Sequence, residues 1–460
     1  MHFKQFYLGC LSHASYYLGS AGEAAIIDPQ RDVQQYIDEA EANGEQIKYI
    51  IETHSHADFV SGHVELAAKT GAEIIYGQRA NTQFPTHKVK DGDELNVGNL
   101  KLKFLETPGH TPEGITIVAE NADEPDEPRK MFTGDTLFIG DVGRPDLIGS
   151  KGFTAEQMGS MLYDSLHNSI LAYPDETEVY PAHGAGSLCG KSLSKETWST
   201  LGNQRKFNYA LQPMSKEDFI RIVAADQPEV PAYFPKSAAK NLEGSAPLTD
   251  IAKPREFSSD QITGFDGVVI DVRQNSEYGN GHIPNSINIG LGGQFASWAG
   301  TLIPIGAAIA VVADNETQVD EAVTRLARVG HESVKGFIFI HNYTGETKKV
   351  GQVSVNEVSE LLQTEDLQFV DVRRTAEHNA GHAAGTVNIP LDKLATDFER
   401  LDPLAPTYVI CQGGYRSSIG TSILENAGFK TIYNVTGGTT AWLHADLEIE
   451  ISAAACASTK

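Results

Sequence analysis

Two stretches of this chain repeat one another, and the repeat limits what the chain can fold into. VVIDVRQNSEYGNGHIPNSINI begins at Val268 and FVDVRRTAEHNAGHAAGTVNI at Phe369, with their Asp-Val-Arg triplets 100 residues apart. Each copy later holds a strand followed by a helix, AVVADNETQVDEAVTRLARVGH at 310–331 and YVICQGGYRSSIGTSILENAGF at 408–429. Strand–helix alternation at that period implies two α/β domains of about 100 residues each, meeting near residue 350.

The residues ahead of the repeat alternate in another way. AAIID (24–28), IKYIIET (47–53), EIIYG (73–77), LKLKFLET (100–107), GITIVAE (114–120) and KMFTGD (130–135) read as strands rich in β-branched and aromatic residues. VQQYIDEAEANG and VELAAKTG have helical spacing and end in Gly, a usual helix stop. Chemistry-bearing side chains gather just after strand ends, at His54, His110, Asp135 and His183. Layered α/β folds assemble their sites in such loops. The run at 227–256 has five prolines among small and polar residues and reads as a linker. The expected boundaries are a first domain at 1–235, a linker at 236–256, repeat copies at 257–350 and 351–452, and a tail at 453–460.

Cys411 follows the apolar strand YVI and opens the loop Cys-Gln-Gly-Gly-Tyr-Arg-Ser, so that Gln412, Gly413, Gly414, Tyr415, Arg416 and Ser417 surround it in sequence. Paired glycines let backbone N–H groups turn inward as an anion nest, and the next helix adds its positive end. A thiol there is expected to ionise readily and to hold a persulfide equally well, with Arg416 attracting an anion such as sulfite or thiosulfate. DVRRTAEHNAGHAAGTVNIP followed by CQGGYRSS resembles the rhodanese family of sulfurtransferases over about 100 residues. The resemblance implies that Cys411 carries sulfane sulfur. In the first copy Ala313 faces Cys411 and Gln318 faces Arg416. A methyl group carries no sulfur, so that copy is expected to be inactive and to serve as a spacer, interface or docking surface.

ETHSHADFVSGH (52–63) supplies His54, His56 and Asp58; TPGHTPEG holds His110, FTGDT holds Asp135 and YPAHG holds His183. This constellation resembles the metallo-β-lactamase fold over residues 1–235, which implies an αββα sandwich ahead of two rhodanese-like α/β domains. Dinuclear hydrolases of that fold use an HxHxDH run, whereas this chain reads HxHxDF. The benzyl ring of Phe59 donates no lone pair, so one metal ion is expected. Within the fold the chain resembles the persulfide dioxygenases, a match strengthened by DTLFIGDVGRPDL at 135–147. Carried over position by position, that resemblance implies mononuclear Fe(II) on His54, His110 and Asp135, with open places for O2 and a substrate sulfur. His56, Asp58 and His183 then orient the ligands and line the pocket. Arg144 resembles a substrate-contacting position, and Cys189, six residues after His183, is a candidate sulfur acceptor with an inert thiol as the alternative.

The resemblances together imply a fusion that oxidises a persulfide of glutathione, coenzyme A or a similar thiol to sulfite, and exchanges sulfane sulfur with sulfite or thiosulfate for sulfide detoxification. The rival readings are a glyoxalase II-like dinuclear thioester hydrolase and a non-enzymatic sulfur-relay scaffold. With 36 basic against 61 acidic residues and a formal charge of −25, no polycationic face for nucleic acid is expected. No apolar run spans a bilayer, and four scattered cysteines suit a reducing cytoplasm. A homo-oligomer is expected.

Overall fold

The computed structural model describes residues 1–147, 152–191, 193–225, 227 and 229–451. The expected tail at 453–460, with Cys456, lies outside the described residues. The chain divides into two compact units, Met1–Ile251 with Leu326–Gly330, and Ala252–Arg325 with His331 onward.

The first unit is a sandwich of two sheets with helices on both outer faces. Strands β1 to β6 (His2–Leu8, His13–Ser20, Glu23–Ile27, Gln46–Ile51, Glu73–Gly77 and His87–Val89) lie side by side in that order. Strands β7 to β12 (Glu94–Val97, Leu100–Glu106, Ile115–Asn121, Lys130–Gly134, Glu178–Pro181 and Ser199–Thr200) form the second sheet in the order β12-β11-β10-β9-β8-β7. Side chains alternate across each strand, so a strand buried on both faces reads as an unbroken apolar run. In β2, Tyr16 and Leu18 enter the core between the sheets with Ile51, Ile75, Phe104 and Phe132. Tyr17 points the other way, into the layer that holds Tyr36 and Leu66 from the helices Gln34–Asn43 and His63–Thr70. The second sheet is covered by helix Ala155–Asp164 through Leu162 and by helix Lys216–Ala224 through Phe219 and Val223. Fully buried side chains of this size contribute about 1.5–3 kcal/mol each, which holds the strands, and the loops at their ends, in fixed register.

Residues 236–256 are not a loose linker. Helix Phe234–Glu243 takes Pro235 in its first turn, where a missing N–H costs nothing. Its Asn241 amide donates to the carbonyls of His56 and Phe59, both at 2.8 Å, while its Oδ1 accepts from Ser61 N–H. The helix therefore belongs to the first unit and braces the loop after β4.

In the second unit the two copies have one topology. Strands β13 to β17 (Arg255–Glu256, Val268–Asp271, Ile287–Asn288, Ile309–Ala313 and Val334–Phe339) run in the order β13-β17-β16-β14-β15. The next seven, β18 to β24, are Gly351–Val353, Gln368–Asp371, His382–Ala383, Val387–Asn388, Thr407–Ile410, Ile432–Val435 and Ile449–Glu450. Their main sheet has the matching order β18-β23-β22-β19-β21, and β20 pairs with β24. The repeated Asp-Val-Arg is a building device. Arg273 forks onto Asp271 and reaches Gly281 O, and Arg373 does the same with Asp371 and Gly381 O. Among the described residues, no helix is long and apolar enough to cross a membrane.

Candidate functional site

Four loops of the first unit bring their polar side chains to one buried place. Ligand atoms of His54, His110 and Asp135 lie within 4.8 Å of one another. His110 Nε2 is 3.3 Å and His54 Nε2 3.8 Å from Asp135 Oδ2, and His183 Nε2 is 3.5 Å from Asp135 Oδ1. Each imidazole is aimed by its other nitrogen. Thr53 Oγ1 donates to Asp28 Oδ2 at 2.8 Å, so it must accept from His54 Nδ1 at 3.0 Å. His110 Nδ1 donates to Arg144 O at 3.0 Å and His183 Nδ1 to Ser12 O at 3.2 Å. All three therefore turn a bare Nε2 lone pair inward, the arrangement that metal-binding histidines need.

The electrostatics of the cluster suit a divalent cation. Burial, and after it neighbouring imidazoles, holds His54 well below the ordinary histidine range, and burial lowers His110 and His183 to about 4. Burial, then Asp58, pushes the Asp135 carboxyl well up. Neutral imidazoles around a carboxyl with no N–H or O–H partner fit a divalent ion, whose charge would reverse the Asp135 shift. Binding must then displace a proton from Asp135. Calorimetry in buffers of different ionisation enthalpy is expected to count about one proton released per ion, and affinity is expected to rise with pH.

Phe59 is buried, with its ring centroid 4.2 Å from that of His13 and 4.6 Å from that of His56. His56 faces away from the triad's carboxylate, its Nε2 3.1 Å from Asp28 Oδ1 and 3.4 Å from Glu52 Oε2. Asp58 stands 3.4 Å from His183 Nε2, and burial raises its carboxyl to about 6.

In the second unit the loop after β22 folds back on the Cys411 sulfur. Gly414 N–H donates to Cys411 Sγ at 3.1 Å, and Ser417 Oγ lies 3.4 Å from the same sulfur. Gly414 has φ +99°, a conformation that only glycine adopts freely. In the first copy Ala313 ends β16, and Gln318 caps its own loop by accepting from Asp314 N–H at 2.8 Å.

Residues 8–183 match the metallo-beta-lactamase superfamily, and 254–349 and 354–445 each match the rhodanese-like domain. The chain is 30% identical over 217 residues to the persulfide dioxygenase ETHE1 of Bos taurus, an alignment spanning 45% of this chain and 75% of that protein. It is 30% identical over 164 residues to the hydroxyacylglutathione hydrolase of Dictyostelium discoideum, with 36% of this chain and 58% of the hydrolase aligned. The crystal structure of a metallo-beta-lactamase from Staphylococcus aureus superposes with TM-score 0.66 at 34% identity, covering 74% of this chain and 98% of that one. The chain belongs to the metallo-β-lactamase superfamily. It is a fusion of that fold to two rhodanese-like domains.

Two of the arginines singled out in the sequence are each paired with a carboxylate. Arg144 is buried and forks onto Asp146 with two contacts of 2.7 Å, while Nη1 donates to Leu188 O. Together with Arg144 N–H donating to Cys189 O, this makes it a clamp joining the His110 support to the Cys189 loop. Arg416 likewise forks onto Glu377 at 2.7 and 2.8 Å, so a substrate anion would have to compete with that carboxylate. Cys189 is close to the centre, its thiol grouped with Asp58 and His183. Burial, then Asp135, raises that thiol well up, so the metal-free protein holds it protonated.

Sequence reading missed His13 and Asp28. His13 opens β2, is fully buried and donates from Nε2 to Asp28 O, 2.9 Å away. Asp28, at φ +51° after β3, anchors Thr53. The available signals were a lone histidine in the apolar LSHASYYLG and an acid ending AAIID.

Proposed function

We propose that the first unit oxidises low-molecular-weight persulfides with dioxygen at one Fe(II) held by His54, His110 and Asp135, and that Cys411 exchanges sulfane sulfur with sulfite or thiosulfate. What supports this reading most is the convergence of the bare Nε2 atoms of His54 and His110, with that of His183 beside them, on an unpartnered carboxyl, in a run that has Phe59 where dinuclear sites have histidine. Ferrous iron bound there supplies the redox chemistry by which dioxygen adds to the terminal sulfur.

In the overall step a persulfide RSSH, O2 and water give RSH and sulfurous acid. The terminal sulfur loses four electrons to dioxygen, and water supplies the third oxygen. His54, His110 and Asp135 would hold the ion, Asp58 and His183 would line the space beside it, and His56 would support the centre from behind through Asp28 and Glu52. Phe59 and Phe138, both buried, keep that side dry. At the second site the Cys411 thiolate attacks the outer sulfur of a persulfide or thiosulfate, and thiol or sulfite leaves with the electron pair of the broken S–S bond. Sulfite attacking the resulting Cys411 persulfide yields thiosulfate and restores the thiolate. Gly414 N–H steadies the sulfur in both forms. Both sites on one chain raise the local concentration of sulfite. The free thiols Cys189 and Cys411 suit a reducing compartment such as the cytoplasm.

Protein purified without oxygen is expected to contain one iron per chain and to consume oxygen on addition of glutathione persulfide. The hydroxyacylglutathione hydrolase match favours a second reading, a dinuclear thioester hydrolase. Two divalent ions and oxygen-independent thioester cleavage would establish it in place of the first. Phe59→His restores the missing donor beside Asp58 and His183. Elemental analysis of this variant is expected to show metal content rising towards two ions per chain, with oxygen uptake impaired.

A further inference from the structure

The degenerate copy has lost its nucleophile, yet it touches the loop of the copy that keeps one. Hydrogen bonds from the first copy run along helix Tyr415–Asn426, which carries the Cys411 loop at its start, and reach its far end at Glu425 and Asn426. At the loop itself, Asn275 Nδ2 donates to Gly414 O at 3.3 Å, beside a longer contact from Asn434 at 3.5 Å. One residue on, Tyr415 OH donates to Gly290 O at 2.8 Å. One turn further, Ser418 Oγ donates to Asn288 Oδ1 at 2.6 Å, and Ser422 Oγ accepts from Asn288 N–H at 3.2 Å.

These contacts flank the group that matters. Gly414 donates its N–H to Cys411 Sγ, and its left-handed backbone has no side chain to limit rotation. The aim of that N–H must be set by what grips the peptide on the other side of Gly414 and the residue after it. Asn275 shares the Gly414 carbonyl with Asn434 and with the helix's own Ser418 N–H at 3.3 Å, and Gly290 grips Tyr415. The fit also excludes other residues: a Cβ on Gly293 would lie 2.5 Å from Tyr415 Cε2 and 2.6 Å from Cζ, inside the ring's own volume. The Tyr415 ring thus lies against bare backbone of the first copy.

We infer that the degenerate copy is a positioning element for the sulfur-carrying loop, with Asn275 and the turn at Gly290 and Gly293 setting the direction of the Gly414 N–H towards Cys411. The inference rests on the reading of Cys411 as the sulfur carrier. Asn275 and Gly293 act through Gly414 and Tyr415 and touch no reacting atom themselves.

The test uses the full chain, with thiosulfate as donor and sulfite release as readout, and Cys411→Ser as the blank. Asn275→Ala removes one donor and leaves the fold intact, because the side chain is only half-buried. It is expected to lower kcat about fivefold, the value of one hydrogen bond, with KM for thiosulfate within twofold. Gly293→Ala displaces the ring and is expected to lower kcat by more. Tyr415→Phe, which removes only the hydroxyl, is expected to combine with Asn275→Ala less than multiplicatively, since both act on one loop. Hydrogen exchange at residues 412–416 is expected to quicken in each variant. Unchanged kcat and exchange in both Asn275→Ala and Gly293→Ala, or a loss confined to KM, would overturn the inference. Wild-type transfer no faster than the Cys411→Ser blank would instead overturn the reading of Cys411 beneath it.

Discussion

Replacing Cys411 by serine is expected to turn a thiosulfate-forming protein into a sulfite-forming one without slowing its oxygen uptake. A hydroxyl cannot form the sulfur–sulfur bond that carries sulfane sulfur, so transfer should fall to the uncatalysed rate. The folded loop should survive, because Gly414 N–H and Ser417 Oγ, now grouped around Sγ, can bond a hydroxyl as well. The measurement is ion chromatography of sulfite and thiosulfate beside an oxygen electrode, with glutathione persulfide as substrate. Thiosulfate formed by the Cys411→Ser protein at the full enzymatic rate would mean that the two halves are not coupled through this cysteine.

The reciprocal expectation concerns Asp135. Asp135→Ala removes the only carboxylate of the candidate triad, and iron content and persulfide-dependent oxygen uptake should both be lost. Sulfur exchange from thiosulfate at Cys411 should continue at the wild-type rate. A milder variant grades the effect. Thr53→Val takes away the acceptor that orients His54 through Asp28, and supports of this kind are worth about 10–100-fold in metal affinity. Stability should move the opposite way from activity. Asp135 is a buried carboxyl without an N–H or O–H partner, and such a group costs about 1–3 kcal/mol. The metal-free Asp135→Ala protein should therefore unfold at a temperature no lower than the metal-free wild type. A lower temperature would show that Asp135 supports the fold independently of any ion.

Much of the site could be read from residue order because strand ends are local features. His54, His110, Asp135 and His183 each follow an apolar run, and in a layered sandwich such positions share one rim. The same holds for the two rhodanese-like copies, where one repeat period produced two sheets of one strand order. Arg144 as a substrate-contacting candidate and Arg416 as a group attracting an anion are readings of residue type; the carboxylates that hold them are set by folded geometry. Glu377 is 39 residues from Arg416, and the Asp146 fork forms only when the loop after Asp135 turns back on itself. Helix Phe234–Glu243 was mistaken for linker because its proline suggested a break, whereas a proline in a first helical turn marks a beginning.

The order of residues determined by itself which side chains are candidates for the chemistry, that one copy has Cys411 where the other has Ala313, and that Phe59 follows Asp58 in the HxHxDF run. These are matters of composition at fixed spacing, and no folding changes them. Tertiary structure alone decided that Thr53, Arg144 and Ser12 each turn a histidine's lone pair inward, that His13 and Asp28 close the centre, and that Asn275 of the inactive copy reaches Gly414 of the active one. Those pairings depend on hydrogen bonds a few ångströms long between residues up to 171 apart in sequence, which exist only once the sheets have packed.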